Sequence, residues 1–415
     1  MEIRTAHQIP PSLCLKCRGA KMLCGLSYCP VMVTSLFKTR VKSYDSKSIE
    51  GSSPPSVFVG RFGYPKIKIY PGTPPLHGDT GRYEDPKAWM GIDLEEFLSM
   101  RLSILRGGME FRVREASSPT KYLHDLQIMS LSEKPVELEM KTEKSIDRRD
   151  VYLSEHTPPM GPSAPMSGFT IGNARIEKRV EYVYEDTDLL SMDAIVDLYS
   201  RGIDVSRLSR MLSMGTLGIG KNRKAVPTRW SITAVDKNLS DRLLTEVKRN
   251  PWINSYEVYI RNVNGNLFAA LLSPGNWAYE WGEAWFPGTT WNLFADRAAV
   301  MIDSEPYEGR KDYPDIGGCY YSTRIALLES LRKNRRQAKA MVWREIYPGF
   351  DLPVGVWFVR ENVREMFASS PMLFDDYGKA LEYMQSFFKV PAERWRQKSF
   401  VHRLNVNPTL ESFAI

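Results

Sequence analysis

The stretch YEVYIRNVNGNLFAALL (256–272) sets how the rest of this chain is read. Two apolar runs flank Asn264-Gly265, the pair whose tolerance of left-handed backbone angles suits a two-residue hairpin turn. A β-hairpin is therefore predicted here. The tryptophan-rich NWAYEWGEAWFPGTTW (276–291) follows, and then the longest expected helix, STRIALLESLRKNRRQAKAMVWREIY (322–347). A strand over GVWFVR (355–360) and a helix over YGKALEYMQSFFKV (377–390) are predicted to close the folded part.

Upstream of the hairpin, helices are expected over LLSMDAIVDLYSRG (189–202) and VSRLSRMLSMG (205–215), with a strand around RWSITAV (229–235). The first half offers two short strands in SVFVGRFGYPKIKIYPG (56–72), broken by Gly60, Gly63 and Pro65. A helix is expected over DLEEFLSMRLSILRG (93–107), capped by Asp93 and stopped by Gly107. The charged alternation of 132–150 reads as an exposed strand. The stretches 43–56 and 154–172 are dense in Ser, Pro and Gly and read as a linker or surface loop and as a boundary or long loop. Strands and helices mix without regular alternation and no repeat is present, so the class is α+β. The expected organisation is a cysteine module over 1–40, two parts of the body over 57–155 and 173–400, and a flexible tail over 401–415.

A chain of 415 residues exceeds what one hydrophobic core usually supports, so more than one structural unit is expected. An apolar share of 43% and a charged share of 25% are those of a globular protein and exclude a disordered one. No apolar run approaches a bilayer span, and the opening residues lack a signal peptide's apolar core, which argues for the cytosol. The net charge of +7 permits a polyanionic partner.

Four of the five cysteines fall in CLKCRGAKMLCGLSYC: Cys14, Cys17, Cys24 and Cys29. In a reducing compartment, thiols clustered this way are metal ligands more often than disulfides. Four thiolates make a closed tetrahedral set for one structural zinc ion, with Lys16, Arg18 and Lys21 to offset its negative charge. An iron–sulfur cluster takes the same ligands. Cys319, alone in GGCYYST, reads as a buried free thiol.

GTLGIGKN (215–222) approaches a phosphate-binding loop, but Asn222 replaces the metal-binding hydroxyl and a helix precedes the loop where a buried strand is needed. Beside it stand Lys221, Arg223, Lys224 and Arg229 with Trp230, a cationic and aromatic group suited to a nucleic-acid backbone. Arg332, Lys333, Arg335, Arg336, Lys339 and Arg344 would give the long helix a second cationic face, for which plain solvation is the simpler account. Glu280, Glu283 and Asp303, set among aromatics, are the candidate acids or bases, with Glu280 and Glu283 sharing a face if their segment is helical. None of the five histidines forms a ligand pair.

The four-cysteine module, GRFGYPKIKIYPG (60–72), KNRKAVPTRWSITAVDKNLSD (221–241), GNWAYEWGEAWFPG (275–288) and DYPDIGGCYYSTR (312–324) together resemble the archaeal DNA repair family called NreA. That resemblance implies a zinc-finger-like N-terminus, a role in repairing DNA damage, and a C-terminal motif that docks onto the sliding clamp, PCNA. On this tail, Asn407 takes the motif's glutamine position, Leu410 the aliphatic, Phe413 the first aromatic and Ala414 the second. Asn407 and Ala414 depart from the pattern. Leu410 and Phe413 keep the i, i+3 spacing that one 3₁₀ turn places on a single face. The expectation is a DNA repair factor of the cytoplasm and nucleoid, with one structural zinc, a DNA-contacting surface and a clamp-docking tail. An enzyme acting on DNA or a nucleotide through those carboxylates, and a scaffold bridging the clamp to other repair proteins, are the alternatives.

Overall fold

A computed structural model of the chain describes residues 9–26, 29–38, 44–147 and 150–407. The chain divides into two compact units, Thr39–Leu239 and the combination of Met1–Lys38 with Ser240–Ile415. Each is built on a six-stranded mixed sheet, and the α+β class holds. Two short helices come first, α1 (Pro11–Cys17) and α2 (Pro30–Lys38).

In Thr39–Leu239 the elements are β1 (Ser48–Ser53), β2 (Ser56–Val59), β3 (Lys66–Thr73), α3 (Leu94–Leu102), β4 (Leu105–Arg112), α4 (Lys121–Leu131), β5 (Val136–Thr142) and β6 (Ser163–Ile171), then α5 (Lys178–Glu185), α6 (Ser191–Ser200), α7 (Val205–Ser213) and the start of α8 (Thr228–Val247). The strand order is β1-β5-β6-β4-β3-β2, with β4 and β6 parallel and the other pairs antiparallel. Its core gathers Ile49, Ile67, Ile69, Leu138 and Met140 from the sheet and Leu123, Leu126 and Met129 from α4. Each such side chain contributes about 1.5–3 kcal/mol by leaving water.

Several sequence expectations change here. The stretch 43–56 is not merely a loop, because β1 runs through it and pairs along its whole length with β5. Its small residues serve close packing: a Cβ on Gly51 would stand 2.2 Å from the Pro74 carbonyl oxygen. Likewise β6 takes up Ser163–Ile171 of the stretch 154–172. Asp93 does cap α3, its Oδ1 accepting from the Glu96 amide at 2.7 Å. The helix nevertheless ends at Leu102, and Gly107 lies inside β4, where a Cβ would come 2.5 Å from Met166 Sδ. β5 is no exposed strand; it lies between β1 and β6 with alternate residues buried. The β-branched residues of 229–235 form helix, since Ser231, Val235, Leu239, Leu243 and Val247 repeat every fourth residue and are all buried.

The second unit adds β7 (Tyr256–Val263), β8 (Asn266–Ser273), β9 (Ala278–Trp285), β10 (Ala299–Glu305), α9 (Cys319–Asn334), β11 (Lys339–Ile346), α10 (Trp357–Ala368), β12 (Met372–Phe374), α11 (Tyr377–Gln385), α12 (Ala392–Arg396) and α13 (Phe400–Val406). Strand order is β10-β9-β11-β8-β7-β12, with β9 and β11 parallel. The hairpin is as predicted: Asn264 and Gly265 have φ of 45° and 68° and join β7 to β8. The long helix is not. α9 stops at Asn334, Arg335 caps it in the left-handed region at φ 52°, and KAMVWREI becomes the interior strand β11. A strand covered on both faces lacks the alternation that marks strands in sequence. GVWFVR gives way to a helix as well: α10 begins at Trp357 and packs on α9, with Arg364 donating to both carboxylate oxygens of Glu329 at 2.7 Å.

Candidate functional site

Cys14 and Cys17 sit three apart on α1, so one side of the helix carries both. The chain then turns through Arg18 and Gly19, at φ 46° and 67°, passes Cys24, and re-enters helix at Pro30, just after Cys29. All four cysteines line one cavity of about 20 Å³, walled by apolar groups including Leu13, Val31, Trp291 and Phe294. That is room for a single water or ion. Gly19 is a cradle here, since a Cβ on it would come 2.9 Å from Met32 Cγ and 3.6 Å from Cys29 Sγ. Burial, then the nearness of Cys29, Cys17 and Cys24, pushes the Cys14 thiol up to about 11. Burial raises Cys29 as well. As they lie, no three Cys, His, Asp or Glu side chains among the described residues are set as a metal's ligands. The donor set, four soft ligands around one small cavity with no carboxylate or imidazole in its wall, nonetheless fits a thiolate-bound ion.

Two of the three nearby cations have carboxylate partners. Arg18 donates to Glu283 Oε2 at 2.7 Å and to the Leu15 carbonyl at 2.8 Å, and Lys16 pairs with Asp315 at 3.0 Å. Arg18 also reaches Cys319 Sγ at 3.7 Å, and Cys319 is a buried free thiol as predicted.

The three carboxylates are placed by strands, not by a helix, so Glu280 and Glu283 point to opposite faces of β9. Glu280 is fully buried, and its oxygens accept from Trp343 Nε1 at 2.9 Å, Ser399 Oγ at 2.7 Å and the Val401 amide at 2.9 Å. Burial raises its pKa above the ordinary carboxylate value, against those donors. Glu283 takes Arg18, Arg344 Nη1 at 3.2 Å and Trp285 Nε1 at 3.2 Å. Asp303 binds Arg310 at 3.2 Å and the Ile316 amide at 2.7 Å. These donors tie segments of the unit together.

The cationic cluster lies in Thr39–Leu239. The near phosphate-loop sequence forms a 3₁₀ turn, Gly220–Asn222, after α7. Arg223 fastens that turn: its guanidinium donates to the carbonyls of Gly218 at 2.9 Å, Tyr184 at 2.7 Å and Asp186 at 3.1 Å. Lys221, Lys224 and Trp230 are exposed and Arg229 is half-buried. Thr228 Oγ1, at the start of α8, accepts from the Val59 amide at 2.8 Å and so holds the root of the β2–β3 hairpin. That contact brings in residues the sequence reading passed over. Tyr64 meets Trp230 with ring centroids 5.4 Å apart, and Arg61 lies 4.8 Å over the Phe62 ring. Gly60, Gly63 and Pro65 had marked this turn, and aromatics inside a tight turn were the available signal.

The second cationic segment disperses. Arg332 pairs with Glu246 at 2.7 Å, Arg335 caps α9, and Arg344 is buried on β11. Asn407 is exposed just beyond α13; Leu410, Phe413 and Ala414 lie outside the described residues. No helix among the described residues is long and apolar enough to cross a membrane.

Such a chain, two mixed-sheet units with an N-terminal cysteine cluster, belongs to the archaeal Nre family. It matches Archaeal Nre, N-terminal over residues 23–292 and Archaeal Nre, C-terminal over residues 305–413. It is 44% identical over 401 residues to DNA repair protein NreB of Archaeoglobus fulgidus, covering 96% of this chain and 99% of that protein. It is 35% identical over 388 residues to DNA repair protein NreA of the same organism, covering 92% and 95%. With DNA repair protein NreA of Haloferax volcanii it shares 33% identity over 361 residues, covering 85% and 86%. No solved structure matches the chain.

Proposed function

We propose that this protein is a DNA repair factor of the cytoplasm and nucleoid, touching DNA through the cationic surface at the start of α8 and docking on the sliding clamp through its C-terminal residues. The observation that carries the reading is similarity along nearly the whole chain to proteins named for DNA repair. Exposed Lys221 and Lys224 in the stretch that leads to Trp230 support the DNA contact, because exposed cations that neutralise phosphates release the counterions condensed on DNA. For the clamp, the support is the spacing of Leu410 and Phe413 after Asn407. An enzyme reading draws no support from Glu280, Glu283 and Asp303, whose oxygens are taken up by fixed donors.

The reading is tested by survival after DNA damage. A host lacking the gene should lose viability, regain it with the wild-type chain, and regain it poorly with Phe413→Ala. Unchanged survival of the deletion removes the repair role; full rescue by Phe413→Ala removes the clamp.

Cys14, Cys17, Cys24 and Cys29 would hold one zinc ion, which supplies a structural link between α1 and α2 and no reaction chemistry. Metal analysis of the full chain should find one zinc, lost when Cys24 and Cys29 become Ser. A brown, iron-containing preparation would assign an iron–sulfur cluster instead.

A further inference from the structure

We infer that the tip of the β2–β3 hairpin and the start of α8 form a base-stacking platform for single-stranded DNA, an inference that rests on the DNA-contacting reading and gives it a substrate class. Three large rings are held out to solvent here: Phe62 is 73% exposed, Tyr64 50% and Trp230 45%. Exposed aromatics gathered in one place mark an interaction surface when polar groups surround them. The backbone that carries them is fixed. The Thr228 hydroxyl holds Val59, the Gly63 carbonyl accepts from Lys66 at 2.9 Å, and the Pro65 carbonyl accepts from Val113 at 3.0 Å.

Charge selects the occupant. Residues 57–70 carry three cations, residues 221–235 carry four, and neither stretch contains a carboxylate. Of these, Arg223 is committed to three carbonyls and Lys66 to Glu110 at 2.5 Å. Lys68, Lys221 and Lys224 remain exposed, Lys68 on the hairpin that carries Phe62 and Tyr64 and the other two on the segment that leads to Trp230. A polyanion with flat apolar faces satisfies both features, and a single strand has them. In a duplex the base faces are already stacked on each other, so rings at a hairpin tip gain nothing from it. Tyr64 and Trp230 meet at 55° and are therefore not stacked on one another, which leaves ring surface for bases.

The experiment is fluorescence anisotropy of the full chain with labelled oligothymidylate and with a labelled duplex of equal length, at several salt concentrations. The wild type should bind the single strand more tightly. Trp230→Ala and Tyr64→Ala should each lose about tenfold on the single strand and little on the duplex, while Trp230→Phe, which keeps a ring, should stay near wild type. Single-strand affinity unchanged in both alanine variants, or equal losses on both DNAs, overturns the platform and leaves DNA contact standing. Failure of the wild type to bind either DNA overturns the contact itself. Thermal melting of each variant separates a local loss from unfolding.

Discussion

Two regions of this chain combine cations with tryptophan and put them to opposite uses. On β11, Arg344 is buried: its Nε and Nη2 donate to Asn266 Oδ1 at 2.9 and 2.7 Å, Nη1 meets Glu283, and its guanidinium lies 5.6 Å from the Trp285 ring centroid. In the segment before α8 and its first turn, Lys221, Lys224 and Trp230 face solvent. Residue type does not separate WRE from KNRKAVPTRW; the strand's place inside a sheet does. A cation withdrawn from water must find fixed acceptors, whereas an exposed one keeps its hydration and stays available to a partner.

Removing Arg344 should break this contrast most visibly. Arg344→Ala leaves Glu283 and Asn266 short of donors inside the sheet and should lower unfolding stability by about 3–5 kcal/mol in denaturant titration. A loss below about 1 kcal/mol would mean that this network does not support the fold.

A smaller, pH-dependent effect belongs to Glu280. Burial holds its carboxyl above the ordinary value of 4.5, so the folded chain keeps that proton where the unfolded chain has released it. The group's contribution to stability is full below pH 4.5 and declines as pH rises through the folded-state value. Wild-type stability minus that of Glu280→Gln should therefore fall with rising pH above 4.5. A flat difference would place the carboxylate in a solvated setting.

The least effect on folding comes from the exposed region. Lys221→Gln combined with Lys224→Gln should change stability by less than about 0.5 kcal/mol. It should also flatten the dependence of log affinity on log salt by roughly two units for DNA. A large drop in stability would show these lysines to be structural, erasing the distinction from Arg344.

How much of this was readable follows from how local each signal is. The Asn264-Gly265 turn and the Asp93 cap depend on backbone preferences of one or two residues, and both were legible. The long helix failed because KAMVWREI lies between β8 and β9, covered on both faces, and its Ala, Met, Arg and Glu are good helix formers. The same blindness left open whether Glu280 and Glu283 share a helix face; the pleat of β9 separates them. Nor does any change of composition mark the division between the units, which falls inside α8, between Leu239 and Ser240. Of the proposed DNA surface, Lys221, Lys224 and Trp230 were visible in one short cationic stretch, but Phe62 and Tyr64 joined it only through the fold.

By itself the sequence determined the α+β class, the hairpin, the clustering of four cysteines and the membership of the Nre family, because these rest on local backbone preference or on the identity of residues in order. Tertiary structure alone decided which arginines are buried in a sheet and which carboxylates are taken up by donors. It also decided that Tyr64 meets Trp230, 166 residues apart by their numbers. Burial and long-range contact are properties of the packed chain, and no stretch of residues read alone contains them.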